Sequence, residues 1–223
     1  MSSIEAFSET SCDPPIRGFL HRPTSPSGNP LIFTHGAGGD AQMTLLVALA
    51  EAFAGAGFTV LRCDLPFRQL RRFGPPRPGD AVRDREGLKN AVAAMKKLVS
   101  GRAFLGGQSY GGRQASMLLA DANAENPTDG LLLLSYPLHA PSRPDHLRTQ
   151  HLPNLRVPTL FVHGTRDPFG SIEEIESARK LIPAETELMV VEDAGHDLGF
   201  KGKSRREDLP AKVVASCISL FSR

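Results

Sequence analysis

Three residues carry the chemistry this chain could perform: Ser109 in Gly107-Gln108-Ser109-Tyr110-Gly111, Asp167 in His163-Gly164-Thr165-Arg166-Asp167, and His196 in Ala194-Gly195-His196. A serine hydroxyl is a poor nucleophile at neutral pH and needs a base within hydrogen-bond reach. His196 is the candidate base, and Asp167 would fix its tautomer and stabilise the imidazolium. The chemistry implied is acyl transfer through Ser109. Each residue also has a plainer reading. Asp167 before Pro168 could start a turn, and His196 could be a solvated loop histidine, as His139, His146 and His151 are expected to be. Asp193 and Asp197 compete with Asp167, but they lie on the histidine's own loop. His35 is the rival base, and its place before Gly36-Ala37-Gly38-Gly39 suits shaping a loop better than moving a proton.

The spacing around Ser109 has a steric reason. A serine on a sharp strand-to-helix turn sits in a strained backbone region, and bulk two residues to either side would collide across the turn. Gly107 and Gly111 remove that bulk. A second glycine cluster, Gly36 to Gly39, lacks the Lys-Ser/Thr ending of a P-loop and the spacing of a dinucleotide site. As an oxyanion loop it fits, with the backbone N–H of Ala37 pairing with that of Tyr110 behind the nucleophile. No cofactor and no metal are expected, since Cys12, Cys63 and Cys217 are too few and scattered for a zinc site or a disulfide framework.

The segment after Cys63 is rich in proline and arginine, with Arg68, Arg71, Arg72 and Arg77 following Arg62. It is either a solvated loop whose arginines pair with nearby acids, or a rim that draws an anionic group to the site. Arg71 and Arg72 are the candidate rim residues, with Lys201, Lys203, Arg205 and Arg206 able to add to the same side.

Those residues must be positioned by regular elements. Short apolar runs at Leu31–Thr34, Phe58–Cys63, Ala103–Leu105, Leu131–Ser135, Pro158–Val162 and Glu187–Val191 read as strands buried on both faces. Residues 8–23 read as an antiparallel edge. Between the strands lie helical stripes: Leu45, Leu46, Leu49 and Phe53; then Leu88, Ala91, Val92, Met95 and Leu98; then Met117 to Leu119. Ser171 and Glu174 fit a capping box ahead of Ile172, Ile175 and Leu181. A last helix carries Leu209, Val213, Ile218 and Leu220. Strands alternating with helices imply an α/β fold, a mostly parallel sheet with helices on both faces. Ser109, Asp167, His196 and the Gly36 loop all then leave strands at one sheet edge, where ligands of such sheets bind.

Composition agrees with one globular domain over residues 1–223: hydrophobic residues make up 40% and charged residues 22%. A net charge of +2 gives no reason to invoke nucleic acid or a membrane. The N-terminus shows neither a basic nor an apolar signal region, so a cytoplasmic location is expected.

Through His35 to Gly39, Gly107 to Gly111, His163 to Asp167 and Gly195-His196 the chain resembles the α/β-hydrolase superfamily over almost its whole length. The order serine, acid, histidine is the order of that family. Leu134-Ser135-Tyr136-Pro137-Leu138-His139 and His163 to Phe169 resemble, more narrowly, a small lidless branch related to dienelactone hydrolases and to testis-expressed hydrolase-like proteins. The resemblance implies Ser109, Asp167 and His196 as catalytic residues. Dienelactone hydrolases themselves carry a cysteine where Ser109 stands, which argues against that reaction. The expected activity is a carboxylesterase or thioesterase on a small-molecule substrate. A peptidase of the same fold and a non-catalytic interaction module are the alternatives. The short connection between Ser135 and Pro158 leaves no room for a large lid.

Overall fold

The computed structural model describes residues 2–121, 128–200 and 206–222. Among the described residues, eight strands form one sheet: β1 (Ser3–Glu9), β2 (Ile16–Arg22), β3 (Pro30–Thr34), β4 (Thr59–Cys63), β5 (Phe104–Gln108), β6 (Gly130–Leu134), β7 (Thr159–Gly164) and β8 (Thr186–Val191). Their order is β1-β2-β4-β3-β5-β6-β7-β8. β2 runs antiparallel to β1 and β4, and every other pairing is parallel. The antiparallel edge expected for residues 8–23 is therefore a full hairpin beginning at Ser3. All residues of β3 to β7 are buried, as strands covered on both faces must be.

Six α-helices among the described residues cover the sheet: α1 (Thr44–Gly55), α2 (Pro66–Leu70), α3 (Asp80–Leu98), α4 (Tyr110–Leu119), α5 (Ile172–Arg179) and α6 (Leu209–Phe221). One core joins Leu45, Leu46, Leu49 and Phe53 of α1 to Val213, Cys217 and Leu220 of α6. The other joins Leu88, Ala91, Val92 and Met95 of α3 to Ala115 of α4 and Ile175 of α5. Of the predicted stripes, Leu98, Leu181 and Ile218 stand exposed, while Leu220 at the end of the last one is buried. The capping box is present, with Glu174 N–H donating to Ser171 Oγ at 3.2 Å and Ser171 N–H to Glu174 Oε2 at 2.7 Å. The winding of the chain across the sheet reverses between β4-β3 and β5-β6, so the crevice beyond the ends of β3 and β5 is the natural ligand position.

One arginine at the start of the basic segment is internal. Arg62 is buried on β4, where Nε donates to His21 Nε2 at 2.8 Å and Nη1 donates to Ala41 O. Burial, with the Arg62 charge second, pushes His21 down to about 4, because a second positive charge in that buried place is unfavourable. The unfolded chain takes up this proton near the ordinary histidine value of about 6.5, whereas the native state refuses it until about 4. Stability is therefore fully present above pH 6.5 and declines as pH falls toward 4, by on the order of 2–3 kcal/mol for this group. Urea midpoints at pH 7.5 and 4.5 should show the decline. His21→Gln, which keeps an acceptor for Arg62, should flatten it, and an unchanged slope would assign the loss to other groups.

Candidate active site

The sharp turn at Ser109 is built by backbone crowding. β5 ends at Gln108 and α4 begins at Tyr110, so Ser109 turns the chain alone, at φ 50° and ψ −118°. That left-handed conformation is strained for a residue with a side chain. The glycines make it feasible: a Cβ on Gly107 would stand 2.5 Å from Gly112 N, and one on Gly111 would stand 2.4 Å from His35 O. Ser109 N–H donates to Leu134 O at 2.8 Å, tying the elbow to β6. The N-terminus of α4 points its positive end at the serine.

Three sequence-distant side chains meet there. His196 Nε2 lies 2.8 Å from Ser109 Oγ, and His196 Nδ1 lies 2.8 and 3.0 Å from the two oxygens of Asp167. A carboxylate only accepts hydrogen bonds, so Nδ1 carries the proton and Nε2 presents its lone pair to the serine hydroxyl. The Asp167 side chain is fully buried, and Oδ1 also accepts the Phe169 N–H at 2.9 Å. The Phe169 ring lies against the imidazole with centroids 4.3 Å apart. Gln108 Nε2 donates to His196 O at 3.3 Å, so the elbow strand holds the histidine loop as well.

The rivals are engaged elsewhere. Asp193 pairs on the surface with Arg166 at 2.5 Å, and Asp197 accepts the Gly199 N–H at 3.2 Å. His35 is buried, with Nδ1 donating to Gly36 O at 2.8 Å and Nε2 accepting the Leu65 N–H at 3.1 Å. Both its nitrogens serve backbone groups, so it shapes the glycine loop. Burial lowers its pKa, which keeps it neutral. His163, beneath Asp167, is likewise lowered by burial, and its Nε2 lies 2.8 Å from Gly170 O.

Gly36 to Gly39 run past the elbow, with a Cβ on Gly36 meeting Ser109 Cβ at 3.3 Å. Among the described residues, no protein acceptor takes the N–H of Ala37 or of Tyr110, the two donors expected of an oxyanion hole. Tyr110 is held by its hydroxyl, which donates to the buried Asp84 Oδ2 at 2.8 Å. The loop is held by Arg68, a member of the basic segment that turns inward instead of facing a ligand. Its Nε donates to Gly39 O at 2.8 Å and Nη2 to Ala37 O at 2.9 Å. The same guanidinium donates to the carbonyls of Arg71, Arg72 and Gly74 at 3.2, 2.8 and 3.1 Å. Lysine cannot reproduce that planar fork. Arg68→Lys should therefore cost about 2–3 kcal/mol in urea unfolding. A loss within the roughly 0.5 kcal/mol of an ordinary surface change would mean that the loop holds itself.

A cavity of about 620 Å³ opens over Ser109 and His196, lined on its apolar sides by Met43, Leu45, Pro137, Phe169 and Phe200. Arg71 and Arg72 are not on its wall, contrary to the rim expectation. Arg71 pairs with Asp80, and Arg72 is exposed with its guanidinium 5.2 Å from the Phe73 ring centre, beside a hollow on the far side of Ala37 and Gly38. Arg206 donates to Glu192 O, while Lys201, Lys203 and Arg205 lie outside the described residues. Two arginines missed in sequence do reach the cavity: Arg113 on α4 and Arg148 from the β6–β7 connection. Two histidines expected to be solvated are not. His139 is buried beside Glu174 at 3.3 Å, and His151 Nε2 meets Ser116 Oγ at 2.8 Å.

A mostly parallel sheet with an elbow serine at its switch point, and only the 3₁₀ turn Leu152–Asn154 between β6 and β7, defines a lidless α/β-hydrolase fold. The sequence profile of the alpha/beta hydrolase domain matches residues 27–221, and the chain belongs to that family. Solved structures share the fold at low identity. A dienelactone hydrolase from Anabaena variabilis is 20% identical with a TM-score of 0.74, covering 99% of this chain and 97% of that one. A serine hydrolase homologue from Coxiella burnetii is 19% identical with a TM-score of 0.75, covering 95% and 96%. A lidless serine hydrolase from Xanthomonas campestris is 14% identical with a TM-score of 0.73, covering 98% and 94%. Among the described residues, no helix is long and apolar enough to cross a membrane.

Proposed function

We propose that this protein is a serine hydrolase that cleaves carboxylic esters or thioesters of small to medium size. The observation that carries the proposal is the unbroken chain from Ser109 Oγ through His196 to buried Asp167, each link 2.8 Å at its closest. Ser109 attacks the acyl carbonyl while His196 takes its proton, and the Ala37 and Tyr110 N–H groups receive the oxyanion. His196 then protonates the leaving alcohol or thiol. Water activated by the same histidine releases the acid from the acyl-enzyme. The cavity volume falls in the range of small-molecule sites, and its largely apolar wall suits an acyl chain. The neighbouring dienelactone hydrolase and serine hydrolases lend the reading analogy only.

A fluorophosphonate probe should label Ser109 covalently, and a panel of p-nitrophenyl esters of increasing acyl length should give a turnover optimum at short to medium chains. A protein that neither reacts with the probe nor turns over any ester would sink the proposal.

A further inference from the structure

Several arginines of this chain meet carboxylates, among them Arg22 with Glu5, Arg71 with Asp80, Arg83 with Asp13, Arg166 with Asp193 and Arg179 with Glu176, while the buried Arg62 and Arg68 are satisfied by carbonyls and a histidine. The two that line the cavity over Ser109 meet no acid. Among the described residues, neither Arg113 nor Arg148 forms an ion pair with an acid, and Arg113 Nε is buried without a hydrogen-bond partner. Both positions are fixed from the backbone. Arg113 stands one helical turn beyond the nucleophile, its N–H donating to Ser109 O at 2.9 Å. Arg148 is pinned three times: its N–H donates to Leu138 O at 2.8 Å, its Nη1 donates to Pro137 O at 3.0 Å, and its carbonyl accepts from Tyr136 at 2.7 Å.

Among the described residues, no acid lies within ion-pair distance of either guanidinium. Burial, followed by the nearby charge of Arg113, lowers Arg148. Burial with Arg113 and then Arg85 pushes His151 down to about 4, so it stands neutral. Asp197, the carboxylate on the cavity wall, sits on the histidine's own loop and accepts the Gly199 N–H. Holding two like charges half-buried and without a paired acid is unfavourable unless a ligand supplies the anion. A guanidinium fork binds a carboxylate or phosphate through paired N–H donors, and a partly desolvated cavity strengthens the attraction.

We infer that Arg113 and Arg148 form a recognition site for an anionic group on the substrate, so that the preferred ester carries a negative charge a short hydrocarbon spacer away from the scissile carbonyl. This rests on the hydrolase reading above and names its substrate class. It also moves the anion contact from the proline-rich loop to the wall beside the nucleophile.

The test compares mono-p-nitrophenyl glutarate with p-nitrophenyl valerate, which has the same acyl length without the charge, and with the phosphonate-ended counterpart. The anionic esters should show kcat/KM about tenfold or more above valerate at low salt, chiefly through KM. That ratio should shrink toward one at about 0.5 M NaCl. A larger ratio for glutarate than for the phosphonate identifies the anion as carboxylate, and the reverse order identifies it as phosphate-like. Arg113→Gln and Arg148→Gln should each collapse the ratio, while Arg113→Lys retains part of it. Urea midpoints and fluorophosphonate labelling report whether each variant is folded with its elbow intact. Preference for valerate in a protein that labels at Ser109 overturns the inference and leaves the hydrolase reading standing, as does a ratio that survives in both glutamine variants. If nothing labels and no ester turns over, the hydrolase reading fails by itself. Calorimetry with glutarate then decides: binding lost in Arg113→Gln supports the anion site, and no binding overturns it.

Discussion

Ser109→Ala is expected to abolish fluorophosphonate labelling and to lower kcat for ester hydrolysis about 10⁶-fold, the loss seen for nucleophiles that act as part of a triad. The size of the effect follows from what remains. Without Oγ the His196 lone pair has no hydroxyl to deprotonate, and only the N–H donors of Ala37 and Tyr110 and the cavity walls are left to favour attack by water. Such residual groups alone give about 10³–10⁴ over the uncatalysed rate. The fold should be indifferent to the change. Alanine keeps the Cβ, the serine atom that comes closest to the space beside Gly36, so crowding there is unaltered. The strained backbone at φ 50° is held by Leu134 O and by the glycines around it, not by the hydroxyl. The urea midpoint should therefore move by less than the equivalent of about 1 kcal/mol. An alanine variant that hydrolyses esters at the wild-type rate would remove Ser109 from the chemistry altogether.

The elbow was legible because its constraint is largely local. Gly107 is dictated by Gly111 and Gly112 of the same tight turn, and the capping box of Ser171 and Glu174 is equally short-range, whereas Gly111 makes room for His35 O and Thr34 at the end of β3. The parallel strands were legible as apolar runs because both sheet faces are covered. Charge was harder to read. A run of arginines says nothing about which guanidinium turns inward: Arg62 and Arg68 are buried to satisfy backbone carbonyls and a histidine, Arg71 pairs with Asp80, and Arg72 faces solvent. The deciding partners, Ala37, Gly39 and Ala41, belong to a loop well before them in the chain, so no local pattern could show them. The short helix α2 was hidden for a related reason. It is anchored by Asp84 of α3, which accepts the Phe67 N–H at 3.0 Å, and its 5 residues are too few to show a period. Arg113 had a readable signal, standing one turn after Ser109 at the start of a helix and so on the same face. Arg148 had none, because the irregular connection that carries it folds back over the site through contacts with Tyr136, Pro137 and Leu138.

Asp167→Asn is expected to lower kcat about 10⁴-fold while leaving the protein folded. Asparagine is nearly isosteric, and its oxygen can still accept the Phe169 N–H that Asp167 Oδ1 now takes at 2.9 Å. Its amide nitrogen, however, is a donor facing His196 Nδ1, where the carboxylate accepts at 2.8 Å. The imidazole must answer with a lone pair at Nδ1, which moves the proton to Nε2. Nε2 then points a hydrogen at Ser109 Oγ and cannot take the serine's proton. The favourable charge of a buried carboxylate beside the developing imidazolium is lost at the same time. Asp193→Asn is the matched control on the histidine's own loop. Its carboxylate pairs with Arg166, with both side chains largely exposed, and an exposed pair contributes less than about 1 kcal/mol. That variant should keep kcat within about threefold of wild type, a change of well under 1 kcal/mol. The two changes remove the same charge from loops that meet at His196, so the ratio of their rates isolates hydrogen-bonding geometry from net charge. A greater loss for Asp193→Asn than for Asp167→Asn would hand the orienting role to the surface aspartate and contradict the geometry at His196 Nδ1.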